Sequence, residues 1–143
     1  ITLYHWDLPQ ALQDKGGWVN RDIINWFAEY AALITKSYGD KVKNWMVLNE
    51  PMAFVPLGYM LGMHAPGKKG LKNFMAAVHH TALCQAEGGR IIRANTSKAL
   101  IGTTYSCSWI DPKNENEKHQ NAAKKFDVLF NRLFIEPAMG MGY

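Results

Sequence analysis

The sequence predicts an α/β fold whose strands run parallel. Three short apolar runs rich in β-branched and aromatic residues (Ile1–Tyr4, Asn44–Leu48 and Ala99–Tyr105) read as strands. Each is followed by a stretch with apolar residues at helical spacing, and the loops after the strands are longer than those before them. Strand, loop and helix repeated three times call for parallel strands joined by right-handed crossovers.

Ile1–Tyr4 is the first strand; Pro9 and then Gly16-Gly17 mark a long loop behind it. Asn20 is placed to cap a helix running to about Tyr38, with Ile24, Phe27, Ala31, Ile34 and Tyr38 along one face. Gly39-Asp40 ends that helix. The second strand leads into Asn49-Glu50-Pro51, and a loop containing glycines and prolines is expected from there through Gly67 and Gly70. A second helix is expected from about Leu71 to Arg93, weakened locally by Gly88-Gly89. The third strand follows, then a polar loop from Asp111-Pro112 through Gln120. A last helix is predicted from about Asn121 to Phe134, with Ala122, Phe126, Leu129 and Leu133 facing inward.

Composition narrows the functional classes. A hydrophobic fraction of 48% suits a soluble globular protein, and no apolar run approaches the ~20 residues that span a bilayer, so no membrane partner is expected. The net charge of +4 is scattered, with Lys68-Lys69 and Lys124-Lys125 only short pairs, which argues against nucleic acid as a partner. Cys84 and Cys107 have no metal-ligand spacing and read as two reduced, buried thiols. The chain opens on Ile1 within an apolar run that resembles the middle of a strand, so localisation is left open, leaning cytoplasmic.

The chemistry concentrates at the ends of the strands. Asn49-Glu50-Pro51 closes the run Trp45-Met46-Val47-Leu48, so a strand stops at a carboxylate and proline forbids its continuation. Glu50 is the candidate general acid/base; the plain alternative is a surface glutamate at a turn. Asn49, adjacent on the strand, should face another way, although twist at a strand end lets both reach a pocket rim. His5 and Trp6 end the first strand. A His beside a Trp is commonly a packed pair; Asp7 next to them could pass for a catalytic carboxylate, and it is the motif His5-Trp6-Asp7-Leu8-Pro9-Gln10 that gives it a structural reading. His79 and His80 lie on a helix where adjacent residues do not share a face, so no metal site is expected; His119 falls in a polar loop.

Taken together, His5-Trp6-Asp7-Leu8-Pro9-Gln10, Asn49-Glu50-Pro51 and Gly62-Met63-His64-Ala65-Pro66-Gly67 resemble glycoside hydrolase family 1, the β-glucosidase family. The resemblance covers nearly the whole chain, through Phe134-Ile135-Glu136-Pro137 to Gly142-Tyr143, which resemble the segment before that family's sixth strand. It implies a partial (β/α)8 TIM barrel, the third to fifth βα units, with residues 1–143 one piece of a single barrel domain. It further implies a retaining β-glycosidase acting on a β-glucoside or related oligosaccharide with no cofactor and no metal. In that reading Glu50 is the general acid/base, Asn49 bonds the sugar 2-hydroxyl, and His5 and Trp6 contact the glycone. His64 belongs to a motif that marks the family without a catalytic claim.

Ser106 stands where many family members carry asparagine, so no sugar contact is assigned to it; Met52 and Phe54 follow the acid where larger aromatics are common, a departure that bears on the leaving-group side. The family's nucleophile motif, Thr-Glu-Asn-Gly, does not occur in these 143 residues. An inert barrel fragment, at most a weak carbohydrate binder, is therefore the competing expectation. Its open strand edges would need the remaining barrel segments or self-association to cover them.

Overall fold

The structure, a computed structural model, describes residues 1–141. Three parallel strands form one sheet in the order β1 (Thr2–Tyr4), β2 (Asn44–Asn49), β3 (Leu100–Thr104). Between and after them come α1 (Gln10–Asp14), α2 (Ile23–Tyr38), α3 (Pro51–Tyr59), α4 (Leu71–Asn95), α5 (Glu117–Asp127) and α6 (Leu133–Ala138). The expected alternation of parallel strands and helices is therefore present. Gly142 and Tyr143, part of the family resemblance, lie outside the described residues.

The central strand β2 shows why a barrel segment has two unlike faces. Trp45 and Val47 are buried, whereas Met46 between them is 38% exposed, the alternation that pleating dictates. Burial then becomes continuous at Val47-Leu48, where the β2–β3 register shifts between Met46 and Asn49. Helices α2 and α4 pack against each other, and α4 runs unbroken through Gly88-Gly89. A Cβ at Gly88 would lie 2.8 Å from the Phe27 ring and 2.9 Å from Val47 Cγ1, so the missing side chain is what lets α4 approach α2 and β2. The core extends along the chain through Tyr4, whose ring meets Trp18 and Phe54 edge-on at 5.0 and 5.1 Å.

Several expectations need correction. The stretch after Glu50 is not a plain loop, because it opens with the nine-residue α3. Pro51 sits in its first turn, where a missing N–H costs nothing. Pro51, Met52, Phe54, Val55, Pro56, Gly58 and Tyr59 are all buried, so no amphipathic stripe betrays the helix. Short α1 likewise interrupts the loop behind β1. Asn20 does not cap α2 itself: its Oδ1 accepts from the Asp22 N–H at 2.9 Å, one turn ahead. The buried stripe of α2 is Ile23, Phe27, Ala31 and Thr35, with Tyr38 48% exposed.

The last helix begins at Glu117, earlier than expected, because Asn116 caps it by accepting from the Lys118 N–H at 2.9 Å. A π-helical turn, Val128–Arg132, separates α5 from α6. The extra residue in that turn shifts the helical phase. Ala122, Phe126 and Leu129 lie exposed, Leu133 is half-buried, and beyond the start of the turn Asn131 and Phe134 take the inward positions. Of the two free thiols, Cys84 is buried as expected, but Cys107 is exposed in the irregular segment after β3.

Candidate active site

The ends of the parallel strands bring the sequence-predicted residues to one edge. Tyr4 pairs with Leu48 and Asn49 with Thr104, so whatever follows each strand emerges on the same side. The Glu50 N–H donates to the Thr104 carbonyl at 3.0 Å, and the Trp6 indole Nε1–H donates to the Asn49 carbonyl at 2.8 Å. These two bonds tie the segments carrying Trp6, Asn49 and Glu50 into one unit. His5 lies beside Trp6, with ring centroids 6.2 Å apart.

The backbone there is strained where it matters. Three non-glycine residues have positive φ among the described residues, and two of them are Trp6 (φ 76) and Glu50 (φ 45). A left-handed conformation costs a residue with a Cβ about 1–2 kcal/mol, and such conformations cluster where chemistry requires a fixed side-chain direction. The register shift just before Asn49 is a second device that re-aims side chains at a sheet edge.

Asn49 and Glu50 are half-buried, Trp6 is 39% exposed and His5 is exposed. No hydrogen bond or ion pair engages the Glu50 carboxylate among the described residues. Asp7 has a structural task, its Oδ1 accepting from the His5 N–H at 3.2 Å. Trp6 lines two adjoining hollows. The first, of about 270 Å³, is shared with Tyr4, Phe54, Tyr59, His64 and Ala65. The second, of about 390 Å³, continues past Gln10, Gln13, Asp14 and Lys68. His5, Asn49 and Glu50 line neither.

Sequence reasoning treated His64 only as a family marker, yet its ring lies 5.7 Å from that of Trp6 and helps wall the first hollow. Tyr59, which sequence reasoning overlooked, lines both hollows and donates its hydroxyl to Gln13 Oε1 at 3.2 Å. A hydroxyl-bearing ring within an otherwise apolar run was the available signal. Burial raises the Tyr59 hydroxyl pKa, and it pushes that of Tyr4 up to about 12.

The remaining histidines do other work. His80 Nδ1 is 2.9 Å from the Trp18 carbonyl in the core, and His119 Nδ1 is 2.6 Å from Asn114 Oδ1 on the surface. Among the described residues no three His, Cys, Asp or Glu side chains converge in a metal-holding group, and no helix is long and apolar enough to cross a membrane.

The chain as a whole has well-characterised relatives. The family model described as glycosyl hydrolase family 1 matches residues 1–143. The 1,4-beta-D-glucan glucohydrolase of Thermotoga neapolitana is 40% identical over 139 residues, covering 96% of this chain and 32% of the relative. Beta-glucosidase A of Thermotoga maritima is 40% identical over 139 residues, with 96% and 31% covered. Among solved structures, the AHE enzyme from Alicyclobacillus herbarius superposes with a TM-score of 0.95 at 42% identity, covering 99% of this chain and 32% of that one. The Thermotoga maritima β-glucosidase in complex with glucoimidazole gives 0.89 at 40% identity, covering 95% and 31%. The chain thus spans about a third of the length of the relatives it matches, and its three βα units are part of a (β/α)8 barrel. It belongs to glycosyl hydrolase family 1.

Proposed function

We propose that the protein carrying this segment is a retaining β-glycosidase, with a β-glucoside as its most natural substrate, and that Glu50 is its general acid/base. The observation that carries the reading is the Glu50 site itself. Its amide is fastened to β3, its φ is 45, and its carboxyl is unpaired among the described residues. Cleaving a glycosidic bond near neutral pH requires a proton on a poor leaving-group oxygen. An unengaged, half-buried carboxyl on a fixed backbone is suited to supply it and then to take a proton from the water that releases the sugar. Asn49, on the neighbouring position, would hold the 2-hydroxyl, and His5 and Trp6 would orient the glycone. The second carboxylate, needed as nucleophile ~5–5.5 Å away, would come from outside these 143 residues. The glucoimidazole and deoxynojirimycin complexes of the Thermotoga maritima relative support a glycoside substrate.

The test is Glu50→Gln assayed on two β-glucosides differing in leaving group. Hydrolysis of an alkyl or sugar glycoside should fall about 10²–10⁴-fold, while an activated aryl glycoside, whose leaving group needs little protonation, loses far less in the cleavage step. Equal losses on both substrates would rule out the acid role. A second reading, a catalytically inert fragment that binds carbohydrate weakly, is favoured for the isolated chain by its coverage of only 31–32% of its curated relatives. Turnover of an aryl β-glucoside by the 143-residue chain, with hydrolysis of an alkyl glucoside lost in Glu50→Gln, would refute it.

A further inference from the structure

The segment after β3 is irregular and exposed at Ser106, Cys107, Ser108 and Trp109, and residues 106–112 make no backbone–backbone hydrogen bond among the described residues. One side chain holds it. Asn131 Oδ1 accepts from the Ser108 N–H at 3.1 Å, and Asn131 Nδ2 donates to the Ser108 carbonyl at 2.9 Å. Asn131 is 8% exposed, and its amide also donates to Asp127 Oδ1 at 2.7 Å, which fixes which way round the amide sits. The two contacts to Ser108 require Asn131 to point inward, and the π-helical turn Val128–Arg132 supplies that phase.

The held segment borders a hollow of about 260 Å³ lined by Met52, Ala53, Ser106, Ser108, Leu129 and Phe130, among others. Met52 and Ala53 lie two and three residues beyond Glu50; Ser106 and Ser108 lie two and four beyond Thr104, whose carbonyl accepts the Glu50 amide. Two of the segments that border the hollow are therefore joined to each other at Glu50, which does not itself line it; Pro56, Leu57, Met60, Leu61 and Phe74 complete an apolar wall. Its lining combines apolar side chains with two hydroxyls, suited to a leaving group that is apolar or only sparsely hydroxylated.

We propose that Asn131 is a positioning residue for leaving-group selection: by clamping Ser108 it fixes the wall of this hollow. The proposal rests on the reading of Glu50 as the proton donor, and it says nothing about glycone binding.

The test uses the full-length enzyme and compares Asn131→Ala with the unsubstituted protein on an aryl β-glucoside and on a β-linked glucose disaccharide. The expected result is a shift of about tenfold or more in the ratio of the two kcat/KM values, with inhibition by deoxynojirimycin, a probe of the glycone side, changed less than about twofold. A purely structural role would lower both substrates in the same proportion, and that outcome overturns the proposal. Should Asn131→Ala fail to fold, the isosteric pair Asn131→Asp with Asp127→Asn removes the donor to the Ser108 carbonyl without burying two carboxylates together. It should move the ratio in the same direction, and an unchanged ratio overturns the proposal. If the unsubstituted enzyme cleaves neither substrate, the glycosidase reading falls and this inference with it; turnover with an unshifted ratio sinks the inference alone.

Discussion

Glu50 carries a conformational cost that the proposed role as proton donor would explain. Asparagine tolerates a φ of 45 better than glutamate. Replacing Glu50 by Asn should therefore slow cleavage of alkyl and sugar glycosides about 10²–10⁴-fold while leaving the melting temperature unchanged or slightly raised, as thermal denaturation would show. A clear loss of stability would mean that the carboxyl serves the fold. The thiols give a second readout. Burial pushes Cys84 up to about 12, whereas Cys107 is exposed. Of these two thiols, Cys107 should react with an aromatic disulfide reagent in the native protein and Cys84 only after denaturation. The positions of Glu50, Asn49, His5 and Trp6 near one edge were legible in the sequence, since each follows an apolar run that ends abruptly. The placing of His64 beside Trp6 was not, because it depends on how a glycine- and proline-rich loop folds back.

Gly88 and Gly89 are neighbours in α4 with opposite surroundings. A methyl at Gly88 would press on Phe27 and Val47, while at Gly89 the nearest atom, Ile101 Cγ2, is 4.0 Å away. Gly88→Ala should destabilise by about 1–3 kcal/mol through overpacking. Gly89→Ala should stabilise by about 0.5–1 kcal/mol, the ordinary gain in a helix interior. Denaturant titration of the two variants checks both signs, and two changes in the same direction would contradict the packing described. From the sequence the pair reads only as a weakness, since local propensity carries no information about a helix three elements away. Helix α3 and the π-helical turn were hidden for related reasons. Burial on all sides removed the periodicity of α3, and an inserted residue broke that of the last helix.

The buried acids of the core should make the folded chain sensitive to alkali. Tyr4 has a folded pKa of about 12 against an ordinary 10.0, and Cys84 about 12 against 9.0; Tyr59 is raised in the same sense. Each group keeps its proton longer when folded, so its contribution is fully present below its ordinary pKa and is lost as pH rises toward the folded value. Stability measured by denaturant should be level from neutral pH to about 9 and then fall toward 12. Cys84→Ala should flatten the start of that decline, and an unchanged curve would assign it to other groups. The α/β class was legible throughout the chain because parallel strands and their crossovers impress two periodicities on it. What covers the outer sides of β1 and β3 was not, since those strands are the sheet's edges among the described residues.

The bond from the Glu50 amide to the Thr104 carbonyl also imposes an order of events on the newborn chain. The proposed proton donor is translated more than fifty residues ahead of the strand that anchors it. On a ribosome paused before Leu100, its peptide plane would lack that tether, so competence at this spot arrives only when later sequence docks alongside.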